Sequence, residues 1–155
     1  MYGINKILAA VDLSKYTNPV LKYALKMSSD FQAELIVGNV INQRDIDAII
    51  TDQQMPSDSE YIKNYIEEVQ RARTHNIREA IQKITGVEST EEIVFHVGTP
   101  FHSLIDIVRE KDVDMVVMGN KGRTNLASVL FGTTAEKMFR HSPVPLFSIR
   151  HFNNR

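Results

Sequence analysis

The sequence predicts an α/β fold, an open and doubly wound parallel sheet, from three observations. Short apolar runs rich in β-branched residues alternate with stretches of helical period, the first run is apolar almost throughout, and neither a linker nor an internal repeat interrupts the alternation. Five such runs predict five strands. At 155 residues the chain has the length of one ordinary domain, taken here as 1–155, in which roughly 70% of the unfolded surface is buried on folding.

Lys6 to Val11 reads as the first strand, and its nearly continuous apolar character suits a central strand covered on both faces. Thr17 or Asn18 with Pro19 opens a helix, because proline is tolerated in the first turn, and Val20, Ala24, Met27 and Phe31 follow at helical spacing. Glu34 to Ile41 is the second strand. The connection 42–58 is polar and broken by Pro56, but its apolar island at Ile46, Ile49 and Ile50 predicts a short helix packed back on the sheet edge. Since it follows strand two, a lid or partner surface is the alternative role.

From Ser59 to Thr85 the positions Ile62, Ile66, Val69, Ile77, Ile81 and Ile84 trace one face of a long amphipathic helix that stops at Gly86. Ile93 to Val97 is the third strand. Thr99-Pro100 opens the next helix, with Phe101, Leu104, Ile105 and Val108 on one face, and Met115 to Met118 is the fourth strand. A loop from Gly119 to Phe131, with room for a helical turn, leads to a helix over Thr133 to His141 and a fifth strand over Val144 to Ile149. Pro145 cannot donate to a ladder, which puts this strand at a sheet edge or turns the proline nitrogen away from a neighbour.

Composition narrows the function. With 18 Lys+Arg against 19 Asp+Glu and a formal charge of -1, nothing points to nucleic acid or an anionic membrane, so any bound phosphate must be held locally. The absence of cysteine removes disulfides, thiolate metal sites and a cysteine nucleophile, and fits a reducing compartment. The apolar run Ile7 to Val11 is too short for a signal-peptide core, and no run has membrane-spanning length, so a cytoplasmic protein is expected. None of the five histidines forms a short-spaced metal pair.

Open α/β sheets bind ligands at the carboxyl ends of their strands, which directs attention to the residues after strands one, two and four. Strand one ends in Asp12. Strand four runs into Gly119-Asn120-Lys121-Gly122-Arg123, and Gly132-Thr133-Thr134 follows, giving the spacing Gly-x2-Gly-x9-Gly-Thr. Glycine permits positive φ and lets main-chain N–H groups approach a bulky anion without a Cβ in the way, so Gly119, Gly122 and Gly132 are expected to use that freedom. The helix opening at Thr133 offers unpaired N–H donors, the positive end of its dipole and a hydroxyl. Any one of these glycines is an ordinary turn residue; their joint spacing, after a buried strand and before the last helix, is what points to phosphate. Lys121 and Arg123 flank the loop, either neutralising phosphate or simply solvated, and Asp12 either contacts a ligand or caps a turn beside the first helix.

Competing phosphate motifs are excluded. No Gly-x4-Gly-Lys-[Ser/Thr] string occurs, and the segment after strand one, Asp12-Leu13-Ser14-Lys15, lacks the glycines of a dinucleotide fingerprint. A receiver-type acidic site needs a second acid beside Asp12 and an Asp closing strand three, where His96 and Gly98 stand instead.

Over nearly its whole length the chain resembles the universal stress proteins, in particular their ATP-binding branch. The residues that carry the resemblance are Ile7-Leu8-Ala9-Ala10-Val11-Asp12, Asn39-Val40-Ile41, Val97-Gly98-Thr99-Pro100, Asp114 to Gly119 with the glycine motif, and Ser142-Pro143-Val144-Pro145. The resemblance implies a Rossmann-like five-stranded sheet in the order 3-2-1-4-5 with helices on both faces, ATP above the strand ends with or without Mg²⁺, and a homodimer through the strand at Val144 to Ile149. Carried over, Ala10, Val11, Asp12 and Val40 flank adenine and ribose, and Met118 and Gly119 line the ribose and phosphate side. Gly122, Gly132, Thr133 and Thr134 contact phosphates, with Arg123 beside them. Asn120-Lys121 and Asn39 depart from the family's familiar pattern, Asn39 standing where histidine is frequent.

The function implied is a nucleotide-dependent stress-response sensor or adaptor that an unidentified protein partner or the dimer reads. A slow ATP hydrolase or phosphotransferase is the alternative; it needs a base near the γ-phosphate and usually a metal, and the motif supplies no carboxylate beyond Asp12. A ligand-free dimerisation module is the third reading, against which the intact glycine motif counts.

Overall fold

The computed structural model describes residues 3–121 and 131–150. Its elements run β1 (Lys6–Ala10), α1 (Thr17–Phe31), β2 (Glu34–Asn42), α2 (Gln43–Gln53), α3 (Glu60–Thr85), β3 (Glu92–Gly98), α4 (Pro100–Glu110), β4 (Met115–Gly119), α5 (Thr133–His141) and β5 (Leu146–Ile149). The five strands form one sheet in the order β3-β2-β1-β4-β5, and every pairing is parallel.

Alternation along each strand divides the core between the two faces. Ile7 and Ala9 of β1, Leu35 and Val37 of β2 and Val117 of β4 pack with Val20, Leu21 and Ala24 of α1 and Ile77 and Ile81 of α3. Leu8, Ile36 and Val116 point the other way, into Leu104, Ile107 and Val108 of α4 and Met138 of α5. Helices therefore cover both faces, and β1 sits at the centre, as its apolar run predicts.

The helix boundaries have local causes. The Ser59 hydroxyl accepts the N–H of Ile62 at the start of α3, and Gly86 closes that helix at φ 78. Asn42 starts α2 by accepting the Arg44 N–H at 3.1 Å. Helix α1 ends without glycine, at Gln32 with φ 54. Its buried stripe is Thr17, Val20, Leu21 and Ala24, whereas Phe31, expected on the same face, is 48% exposed, because the last turn runs past the edge of the core.

The apolar island in 42–58 is a helix, as expected. Ile46 of α2 is buried against Ile41 of β2 and Ile62 of α3, with Ile49, Ile50, Ile66 and Val69 packed around them. The isoleucine stripe of α3 thus serves two clusters, its C-terminal half joining the sheet core and its N-terminal half joining α2.

Two strands are shorter than expected. Val11 falls beyond β1, although its N–H still reaches Gly38 O at 3.0 Å. β5 begins at Leu146 rather than Val144, with Pro145 just before it contributing only a carbonyl, which accepts from Val116 N–H at 3.0 Å. The strand lies at the edge, one of the two placements that the proline allows. Among the described residues, no helix is long and apolar enough to cross a membrane.

Candidate functional site

A cavity of about 480 Å³ opens at the carboxyl ends of β1, β2 and β4. Nine predicted site residues fall among the described residues, and all nine line it: Ala10, Val11, Asp12, Val40, Met118, Gly119, Gly132, Thr133 and Thr134. Gly122 and Arg123, with the rest of 122–130, lie outside the described residues.

Four helices begin at this cavity: α1 at Thr17, α2 behind Asn42, α4 behind Thr99 and α5 behind Gly132. Each N-terminus carries roughly half a positive charge. At α1, α4 and α5 the cap residue makes no side-chain hydrogen bond to the first turn, although α5 carries Glu136 in that turn. Lys121 follows β4, Lys137 stands one turn beyond Thr133 on α5, and Arg44 lines the cavity from α2. Asp12 and Asp45 line the cavity as well, so these cations stand in a wall that also carries two carboxylates.

Positive φ is not how the described glycines of the motif work. Gly86 is the one described glycine in that region of backbone space. Gly119 ends β4, and a Cβ there would lie 2.8 Å from Tyr16 Cγ, so the missing side chain makes room for the Tyr16 ring. Gly132 is extended, with φ -70 and ψ 160, donates its N–H to Asn120 O at 2.8 Å and starts α5. Close approach, rather than left-handed backbone, is the use of Gly119, and Gly132 serves as the extended residue before α5.

Asp12 does cap a turn: its Oδ1 accepts the Ser14 N–H at 3.0 Å, while Leu13 between them takes φ 61. That bond fixes the carboxylate at the cavity wall. Behind it Asn39, 1% exposed, donates Nδ2 to Val11 O at 2.7 Å and accepts from Arg73 Nη1 at 2.7 Å.

Sequence reasoning missed Tyr16, Thr17, Arg44 and Lys137 as lining residues. Lys137 carried a usable signal, its four-residue spacing from Thr133. Thr17 carried none; its hydroxyl oxygen is buried and has no hydrogen-bond partner among the described residues. A buried hydroxyl left unpartnered costs about 1–3 kcal/mol, which suits a wall completed by a polar ligand. Among the described residues there is no group of three or more metal-ligating side chains.

The universal stress protein family model matches residues 3–150. Universal stress protein MJ0577 of Methanocaldococcus jannaschii is 25% identical over an alignment of 159 residues that covers 96% of each chain. The solved structure of MJ0577 superposes with a TM-score of 0.70 at 24% identity, covering 97% of this chain and 99% of that one. A universal stress protein solved in complex with cAMP matches with a TM-score of 0.64 at 19% identity, covering 96% and 98%. Another, from Archaeoglobus fulgidus in complex with dAMP, gives 0.56 at 15%, covering 96% and 98%. Since the match runs through every element that builds the cavity, the chain belongs to the universal stress protein family.

Proposed function

We propose that this cavity binds ATP and that the protein is a cytoplasmic, nucleotide-dependent sensor or adaptor of the stress response. The observation that carries this reading is the convergence of four helix N-termini on a cavity whose wall includes Gly119 and the Gly132-Thr133-Thr134 start of α5. The complexes of two relatives with cAMP and dAMP support an adenine nucleotide as the ligand class.

In this reading Ala10 to Asp12 and Val40 flank the base and ribose, and Met118 and Gly119 line the passage towards the phosphates. The first turn of α5, with the Thr133 and Thr134 hydroxyls, Gly122 and Arg123, receives the phosphate chain. Lys121 and Lys137 at that end favour a polyphosphate over a monophosphate, since each added phosphate brings charge that they offset. Mg²⁺ would accompany the ligand through its own phosphates and waters. The Thr17 hydroxyl gains the partner it lacks. Binding alone suffices for a sensor whose occupied state another protein recognises.

Calorimetric titration with ATP, with and without Mg²⁺, tests the proposal against a Gly122→Val, Gly132→Val variant shown to be folded by circular dichroism. For a dissociation constant of about 10 μM, 1 mM ATP stabilises the native state by about 2.7 kcal/mol. Saturable binding lost in the variant is expected. Nucleotide-free wild-type protein that takes up no ATP would make the ligand-free dimerisation module the better account.

A further inference from the structure

We infer that Arg73, in the middle of α3, is a positioning residue that sets the nucleoside end of the cavity by clamping the strand ends of β1 and β2 through Asn39. The inference rests on the nucleotide reading above and concerns residues that the glycine motif does not include.

The pairing of β1 with β2 runs from Lys6 opposite Glu34 to Ala10 opposite Gly38. One more backbone bond follows, from Val11 N–H to Gly38 O at 3.0 Å. Parallel-ladder geometry would next offer the Val11 carbonyl to the N–H of Val40. That carbonyl accepts instead from the Asn39 side-chain amide at 2.7 Å. The two strands part at this point, and a side chain sets the gap.

Asn39 has only one orientation open to it. Arginine can only donate and a carbonyl can only accept, so with Arg73 Nη1 on one side at 2.7 Å and Val11 O on the other, Oδ1 must face the guanidinium and Nδ2 the carbonyl. Arg73 Nη1 also approaches Val40 O at 3.4 Å. One guanidinium therefore holds, directly or through Asn39, the carbonyls of Val11 and Val40, and both residues line the cavity. Asn39 points to the α3 side of the sheet while Val40 joins the α4 side, so the clamp lies behind the wall it positions. Arg73 is not among the residues that line the cavity, and through these bonds it acts on the wall from behind.

The consequence is selective. The clamp fixes the peptides after β1 and within β2, where base and ribose would sit, and not the first turn of α5, where phosphates would sit. Loss of the clamp should weaken a nucleoside-bearing ligand and spare a bare polyphosphate.

The test titrates wild type, Arg73→Met and Arg73→Lys with ATP and with inorganic tripolyphosphate well below their melting temperatures. Arg73→Met keeps the apolar stem and removes the donors. It should weaken ATP about tenfold, the scale of one charge-assisted bond, while tripolyphosphate changes by less than about twofold. Exchange of the Asn39 side-chain amide protons, followed by NMR in ligand-free protein, should speed up in the same variant. Should Arg73→Met fail to fold, Arg73→Lys carries the test, with an intermediate loss for ATP and none for tripolyphosphate. Unchanged ATP affinity in folded Arg73→Met, or equal losses for both ligands, overturns the role of Arg73. Wild-type protein that does not bind ATP is a different result, and it overturns the nucleotide reading together with this inference.

Discussion

Gly119 and Tyr16 meet where β4 ends: a Cβ built at position 119 would stand 2.8 Å from Tyr16 Cγ and 2.9 Å from Tyr16 Cβ and Cδ1. Tyr16 is buried and stands at the N-cap of α1. Gly119→Ala should therefore destabilise the protein by about 1–3 kcal/mol through overpacking. Adding Tyr16→Ala should cost less than the two single losses combined, because the clash disappears with the ring. Urea midpoints of the two single variants and the double variant measure this coupling, and simple additivity would mean that the ring and residue 119 do not compete for space.

Thr17 predicts effects of opposite sign on stability and on binding. Its buried hydroxyl oxygen lacks a partner among the described residues. Thr17→Val should leave ligand-free stability unchanged or raise it by up to about 1 kcal/mol, yet weaken ATP about fivefold. Denaturation without ligand and calorimetry with ATP give the two numbers. A loss of stability with intact affinity would assign the hydroxyl to the fold.

Asp114 ties the start of β1 to β4, its Oδ2 accepting Asn5 N–H at 2.8 Å and Lys6 N–H at 2.9 Å. This bridge lies at the sheet end opposite the cavity. Asp114→Ala should cost about 1–3 kcal/mol of stability, as two donors lose a charged acceptor, while ATP affinity at low temperature stays within about twofold of wild type. A large affinity loss would show that the opposite end of the sheet controls the site.

Helix α2 separates packing from gating. Ile46 is buried between β2 and α3, so Ile46→Ala should destabilise by about 2–4 kcal/mol. Arg44, exposed at the cavity, should contribute within about 0.5 kcal/mol to stability. Its replacement by alanine should instead speed ATP dissociation, most clearly at low salt. Stopped-flow release at two ionic strengths decides this, and an unchanged rate removes α2 as a lid.

The edge strand tests the homodimer that we propose through Val144 to Ile149. Phe147 and Tyr23 are exposed there with ring centroids 5.6 Å apart. Phe147→Lys should convert a dimer to a monomer in sedimentation at micromolar concentration, since a charge on an edge strand opposes pairing. A wild-type monomer would remove the proposal.

Periodicity along the chain determined the strands and the helices, because each depends on neighbours in sequence. Alternating burial around Ile7 to Ala9, the helical spacing of Val20 and Ala24, and the missing donor of Pro145 are all local facts. The glycine spacing likewise pointed to the strand ends where the cavity lies. Tertiary structure decided what those residues do there. Phe31 keeps helical phase but runs past the core, and Gly119 is small because Tyr16, more than a hundred residues earlier, needs its space. Asn39 is held by Arg73, 34 residues away in sequence. Such meetings depend on how helices cross the sheet, and no one-dimensional pattern encodes that crossing.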